Sequence, residues 1–210
     1  MKLIITFLFL LATSFLNAQV TDIDGNTYKT VKIGEQVWMS ENLKTTRFTN
    51  GDSIPFVLDR WDWRMLEKNE TPDYGFYDDD SLKEGQYGKL YNYYVVSNGN
   101  IAPEGWRVPT SEDWEQLIRH LGKYEAAEKL KSTSGWHEEG NGTDEVGFNG
   151  LPGGFRDIDG SYRGLGEHGA FLSSSDNQSM AISYTLSYNR NLSKGYGAKR
   201  AGRYIRLIKN

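Results

Sequence analysis

The most regular run of apolar positions lies in the middle of the chain. Trp114, Leu117, Ile118 and Leu121 recur at i, i+3, i+4 and i+7, which puts them on one face of a helix. Thr110 stands where an N-cap belongs, and Asp113 follows at the N3 position of a capping box. Gly122 supplies the stop. A second, short helix is expected over residues 124–132, with Glu125 and Lys129 spaced to support each other and Gly135 beyond its end.

Elsewhere the period changes to two. Ile182, Tyr184, Leu186 and Tyr188 alternate with Ser183, Thr185 and Ser187, the pattern of a half-buried strand. Residues 28–33 and 37–39 read as strands joined by Gly34-Glu35, a tight link with glycine first. Residues 88–96 read as a buried strand, 155–162 as a hairpin around an Asp-Gly turn, 171–175 as a strand end and 203–208 as the closing strand. Between them, 52–84 reads as a long ordered loop with little regular structure, and 189–199 as a polar loop. Strand, two helices, then antiparallel strands is an α+β plan: two helices packed on short, turn-rich sheets.

The N-terminus bears on compartment. Lys2 precedes an apolar run over residues 3–16, and Asn17-Ala18-Gln19 resembles a signal-peptidase site. The run is short for a bilayer span, so the expectation is a cleaved signal peptide over 1–18, with a retained anchor as the alternative, and one domain over 19–210. The protein is then exported, whether periplasmic, cell-surface or secreted.

Composition adds three constraints. The 23 glycines and 13% aromatic content suit tight turns between short strands around an aromatic core. With no cysteine, thiol catalysis, thiolate metal sites and a lipidated cysteine are excluded. Net charge is −4, yet no acid follows Asp176 while seven Lys and Arg do. A basic end can attract an anionic ligand or pack beside the acidic part of its own domain. No nucleic-acid partner is expected.

Four stretches carry a family resemblance. They are Asp22-Ile23-Asp24-Gly25-Asn26-Thr27-Tyr28 running on to Val37-Trp38-Met39-Ser40-Glu41-Asn42-Leu43; Tyr87-Gly88-Lys89-Leu90-Tyr91-Asn92-Tyr93; Gly105-Trp106-Arg107-Val108-Pro109-Thr110 with Trp114; and Phe148-Asn149-Gly150-Leu151-Pro152-Gly153-Gly154-Phe155-Arg156. In order and spacing they resemble the Fibrobacter succinogenes major paralogous domain family of exported bacterial proteins. That resemblance implies a C-type-lectin-like fold, related to formylglycine-generating and sulfoxide-synthase domains. It implies little about activity, because fold does not fix function. The chain departs from the family at Leu207, where relatives often carry cysteine, and at Ala170-Phe171-Leu172, where an aromatic pair is weakened. Both departures read as packing changes.

Chemistry is sparse in this sequence. A formylglycine-type copper site needs two cysteines, and an iron site needs clustered histidines; His120, His137 and His168 lack the spacing of a local metal motif. The carboxylate pairs Asp157 with Asp159, and Glu138 with Glu139, leave open a carbohydrate-active enzyme, although the first pair also suits a turn around Gly160. Asp22, Asp24 and Asn26 resemble the start of a calcium loop, and Asp78-Asp79-Asp80 forms a second oxygen-rich patch; each is equally a turn or solvated loop. No other cofactor is expected. Recognition remains: Trp61, Trp63, Tyr188, Asn189, Arg190 and Tyr196 combine aromatic faces with directional polar groups suited to a glycan or protein ligand. For the two tryptophans, anchoring the long loop is the competing role. The reading is an exported, noncatalytic recognition or adhesion module, with a carboxylate enzyme or a self-assembling envelope component as alternatives.

Overall fold

The computed structural model describes residues 19–189 and 191–210. The signal-peptide expectation and the candidate Arg190 lie outside the described residues. Strands β1 (Gln19–Thr21), β2 (Thr27–Ile33) and β3 (Gln36–Met39) open the domain. Then come α1 (Arg60–Asn69), β4 (Tyr74–Gly75), α2 (Ser81–Tyr87), β5 (Leu90–Tyr91), α3 (Tyr93–Ser97), β6 (Trp106–Arg107), α4 (Ser111–Leu121) and α5 (Ala126–Leu130). Strands β7 (Gly153–Arg156), β8 (Tyr162–Leu165), β9 (His168–Asp176), β10 (Met180–Ser187), β11 (Leu192–Ala198) and β12 (Ile208–Lys209) complete it. The protein is α+β and rich in sheet.

Two five-stranded sheets organise these elements, one in the order β1-β2-β3-β12-β6 and the other β11-β10-β9-β7-β8. The β2–β3 hairpin turns at Gly34, whose φ of 60° meets the demand of a two-residue link. Helix α4 starts as its sequence requires: Thr110 accepts from the Asp113 N–H, and the Asp113 carboxylate accepts from the Thr110 N–H. Its apolar face drives Trp114, Leu117 and Leu121 into the core. Trp114 stacks on Tyr184 with ring centroids 5.1 Å apart and meets Trp38 at 4.9 Å. Burial of each such ring contributes roughly 3 kcal/mol of transfer free energy, which substitutes for the absent disulfides.

Four stretches before the C-terminal run differ from their sequence-based expectation. Residues 52–84 contain α1 and α2 instead of a plain loop. Asp59 accepts from the Trp61 and Asp62 N–H groups and starts α1, and Asp80, part of the acidic run that read as a turn or solvated loop, accepts from the Leu82 N–H and caps α2. Residues 88–96 are not one strand: the Asn92 side chain accepts from the Val95 N–H and converts the second half into α3. Residues 189–199 hold β11, an edge strand paired to β10 from Met180↔Ala198 to Leu186↔Leu192. An edge strand lies open to solvent, so its sequence need not alternate. The second helix is shorter than expected, at Ala126–Leu130.

The C-terminal run is extended but is regular strand only at Ile208–Lys209. It threads between the sheets and changes partner at each step. The Tyr204 N–H donates to Ala170, the Leu43 N–H to Ile205 and the Met39 N–H to Leu207. Leu207 is fully buried in a cluster of aliphatic and aromatic side chains that includes Met39, Leu43 and Tyr91.

Two arginines are buried with it. Arg206 donates to Asn42 Oδ1 at 2.8 and 3.1 Å and to the Phe148 and Asn149 carbonyls, between the rings of Phe148 and Phe171. Arg156 donates to the carbonyls of Val57, Leu58 and Gly160. Much of the basic C-terminal segment is therefore committed inside the domain: Lys194 pairs with Glu115 and Lys199 with Asp176.

Candidate functional site

Helix α4 turns one face to the core and carries its polar face between two hairpins. On one side the β2–β3 turn docks: Gly34 lies against the His120 ring, and Gln36 donates to the Asp113 carbonyl at 3.0 Å. A Cβ at position 34 would stand 3.0 Å from that ring, so the exposed imidazole would have to give way. On the other side the β10–β11 hairpin docks through Tyr184, which donates to the Ser111 carbonyl at 3.0 Å, and through Lys194, 2.9 Å from Glu115. Lys194 holds the Glu115 carboxyl below its usual range by hydrogen bond and charge.

Between α4 and this second hairpin runs an open groove of 440 Å³. Ile118 and Leu192, half-buried against the core, form its apolar floor. Glu115, Arg119, Lys123 and Asn191 supply the polar groups, and the Tyr124 ring stands 83% exposed at the end. The Lys123 ammonium lies 5.9 Å from that ring's centroid. Leu192, Lys194 and Tyr196 face Leu186, Tyr184 and Ile182 across the β10–β11 ladder, so all three project to the α4 side.

The expected ligand residues disperse. Tyr196 is 55% exposed and continues the row that walls the groove. Tyr188 and Asn189 line a separate shallow hollow of 310 Å³ with Glu138, Glu139 and Gly140. Trp61 is 65% exposed on α1, beside Arg64, and lines neither hollow. Trp63 is corrected outright as a ligand contact. It is fully buried, its indole N–H donates to the Asp157 carbonyl, and Arg156 covers its face, so it anchors the long loop.

The sequence did not offer Glu115, Arg119, Lys123 or Tyr124 as ligand contacts, and Ile118 read only as part of the helix's core face. One signal was available. Tyr124 follows the helix stop at Gly122 and is flanked by Lys123 and Glu125, a polar setting for an aromatic ring.

The oxygen-rich loops do not fit a cation. Asp22 accepts from the Asp24 and Asn26 N–H groups, the Asn26 amide and the Tyr28 hydroxyl. Asp24 accepts from Thr45 and Thr46 and pairs with Arg47. These donors occupy the lone pairs calcium would need, and the Asn26 side chain points its amide nitrogen at Asp22. Asp78, Asp79 and Asp80 serve Lys83, Tyr162 and the α2 cap respectively. Among the described residues no group of three or more His, Asp and Glu is placed to hold a metal ion.

The carboxylate pair is likewise engaged. Asp157 and Asp159 both contact Arg163, at 2.8 and 3.2 Å. The Ser161 hydroxyl and N–H hold Asp159 down to about 2, the opposite of what a general acid requires. Glu138 and Glu139 are exposed, with left-handed φ of 46° and 59°.

The molecule is thus an α+β domain whose mixed-charge groove crosses one helix, and among its described residues no helix is long and apolar enough to cross a membrane. The chain belongs to the family described as the Fibrobacter succinogenes major domain, whose model matches residues 31–209. No curated protein and no solved structure matches the chain.

Proposed function

We propose that this protein is an exported, noncatalytic recognition module of C-type-lectin-like fold, binding a surface glycan or protein ligand in the groove between α4 and the β10–β11 hairpin. The observation that carries this reading is the open Tyr124 ring beside Arg119, Lys123 and Asn191 over an apolar floor. A flat ring offers stacking, and the amide and cations offer directional hydrogen bonds, which together suit a polar ligand with apolar faces. The engaged state of Asp22, Asp24, Asp157 and Asp159 supports binding without calcium and without hydrolysis.

The test is a glycan array probed with the mature chain and with Tyr124→Ala, each with calcium and with EDTA. The expected result is a set of hits that survives EDTA and is lost in the variant. Hits indifferent to Tyr124→Ala, or no hits at all, count against the groove. Mass spectrometry of the exported protein should give Gln19 as the first residue; an intact N-terminus overturns the cleavage.

A further inference from the structure

The groove does not end at Arg119. This residue also lines a second hollow, of 380 Å³, on the opposite side of α4, walled by Gly34, Glu35 and Gln36 of the β2–β3 turn and by His120. The two hollows therefore adjoin across the polar face of one helix, with Arg119 common to both. Their arrangement is that of a trough that a chain-like ligand could cross, longer than any single sugar ring needs.

Charge in the trough is unevenly committed. Glu115, its carboxylate on the first side, is paired with Lys194 at 2.9 Å. Arg119 and Lys123 make no ion pair with another described residue, and Arg119 is exposed. Glu35 lines the second hollow and not the first, while Lys123 lines the first and not the second. An exposed guanidinium is a planar fork matched to carboxylate oxygens, and an ammonium beside it adds charge without demanding geometry. The apolar share of the lining favours a carbohydrate over a peptide. Ile118 and Leu192 are packed into the core and leave no deep anchor pocket for a side chain, whereas the open Tyr124 ring offers a stacking platform.

Resting on the recognition reading above, we infer that the trough binds an acidic, carboxylate-bearing oligosaccharide, with Arg119 reading a carboxylate where the two hollows meet and Lys123 a second one within the first hollow.

Calorimetric titration of the mature chain tests this with tetramers of galacturonate, glucuronate and mannuronate, each set against its methyl ester. The ester keeps the sugar skeleton and removes the charge. The expected outcome is binding of at least one uronate tetramer, weakened about tenfold or more by esterification and by a rise in salt. Arg119→Gln and, separately, Lys123→Gln should each weaken the acid form by a larger factor than they weaken the ester, and equal losses for acid and ester count against the carboxylate contact. Both side chains are on the surface, and circular dichroism checks that the variants fold. Equal affinity for acid and ester, with binding still lost in Tyr124→Ala, overturns the acidic-ligand inference and leaves the groove reading standing. Tighter binding of poly-glutamate than of every uronate overturns it in favour of an acidic peptide. No binding of any tetramer, charged or esterified, together with an empty array, removes both.

Discussion

The guanidinium of Arg156 lies 4.1 Å from the ring centroid of Trp63, and both side chains are fully buried. The contact joins β7 to α1, two elements far apart in sequence. The same guanidinium donates to the carbonyls of Val57 and Leu58 just before α1, and to Gly160 in the turn after β7. One cation thus ties the long excursion between β3 and β5 to the second sheet.

Replacing Arg156 by Met keeps the stem but strips donors from three carbonyls. Leaving them unsatisfied in the interior should cost about 3 kcal/mol or more. Thermal unfolding should show the loss, and hydrogen exchange should quicken in α1 before it does in α4. Uniform exchange across both helices would contradict the stapling role.

Asp73 is fully buried, and its Oδ2 has no hydrogen-bond partner, while Oδ1 accepts from the Val57 N–H at 3.2 Å. Burial pushes its carboxyl up from 3.8 to about 8, against the pull of the Val57 N–H and the Arg156 charge. A carboxyl with a raised folded-state value holds its proton longer folded than unfolded. Stability therefore falls as pH rises from about 4 to about 8, by up to about 1.4 kcal/mol per pH unit, and levels off above. Asp73→Asn should match the parent at pH 3.5 and exceed it in stability at pH 8. Urea titrations across that range check it, and parallel curves for the two proteins would refute it.

Thr110→Ala removes the hydroxyl that accepts from the Asp113 N–H at the start of α4. The expected cost is about 1 kcal/mol, read as a lower urea midpoint with unchanged slope. Because α4 carries the groove, ligand affinity should stay within twofold of the parent once the variant is folded, roughly the scatter of a neutral change.

Lys131 is fully buried, with its ammonium donating to the carbonyls of Gly140, Ser187 and Tyr188 and lying 5.0 Å from the Trp136 ring centroid. Lys131→Met should destabilise the fold by about 2–3 kcal/mol and loosen the turn after β10. Faster exchange at residues 187–189 would show this directly; unchanged protection there would contradict it.

How much of this was legible beforehand follows the reach of each signal. The α4 helix was readable because its periodicity and its cap act within a few residues. The β2–β3 hairpin and the Asp-Gly turn were readable for the same reason. Helix α1 was misread although Asp59 stands where a cap belongs, because among its described side chains only Trp63 is buried. Arg156 and Arg206 read as surface residues by type, and only their carbonyl and aromatic surroundings make burial affordable.

The sequence by itself determined the α+β plan, the capped helix, the tight turns, the family and the absence of thiol chemistry. Tertiary structure alone decided which aromatics are available. Trp63 is sealed under Arg156 while Tyr124 stands open, and the groove exists because Glu115 on α4 meets Lys194 on β11, 79 residues away. Periodicity and capping are energies between chain neighbours and are written locally. A site between a helix and a distant hairpin depends on which faces the core consumes, and that is settled only when the whole chain packs.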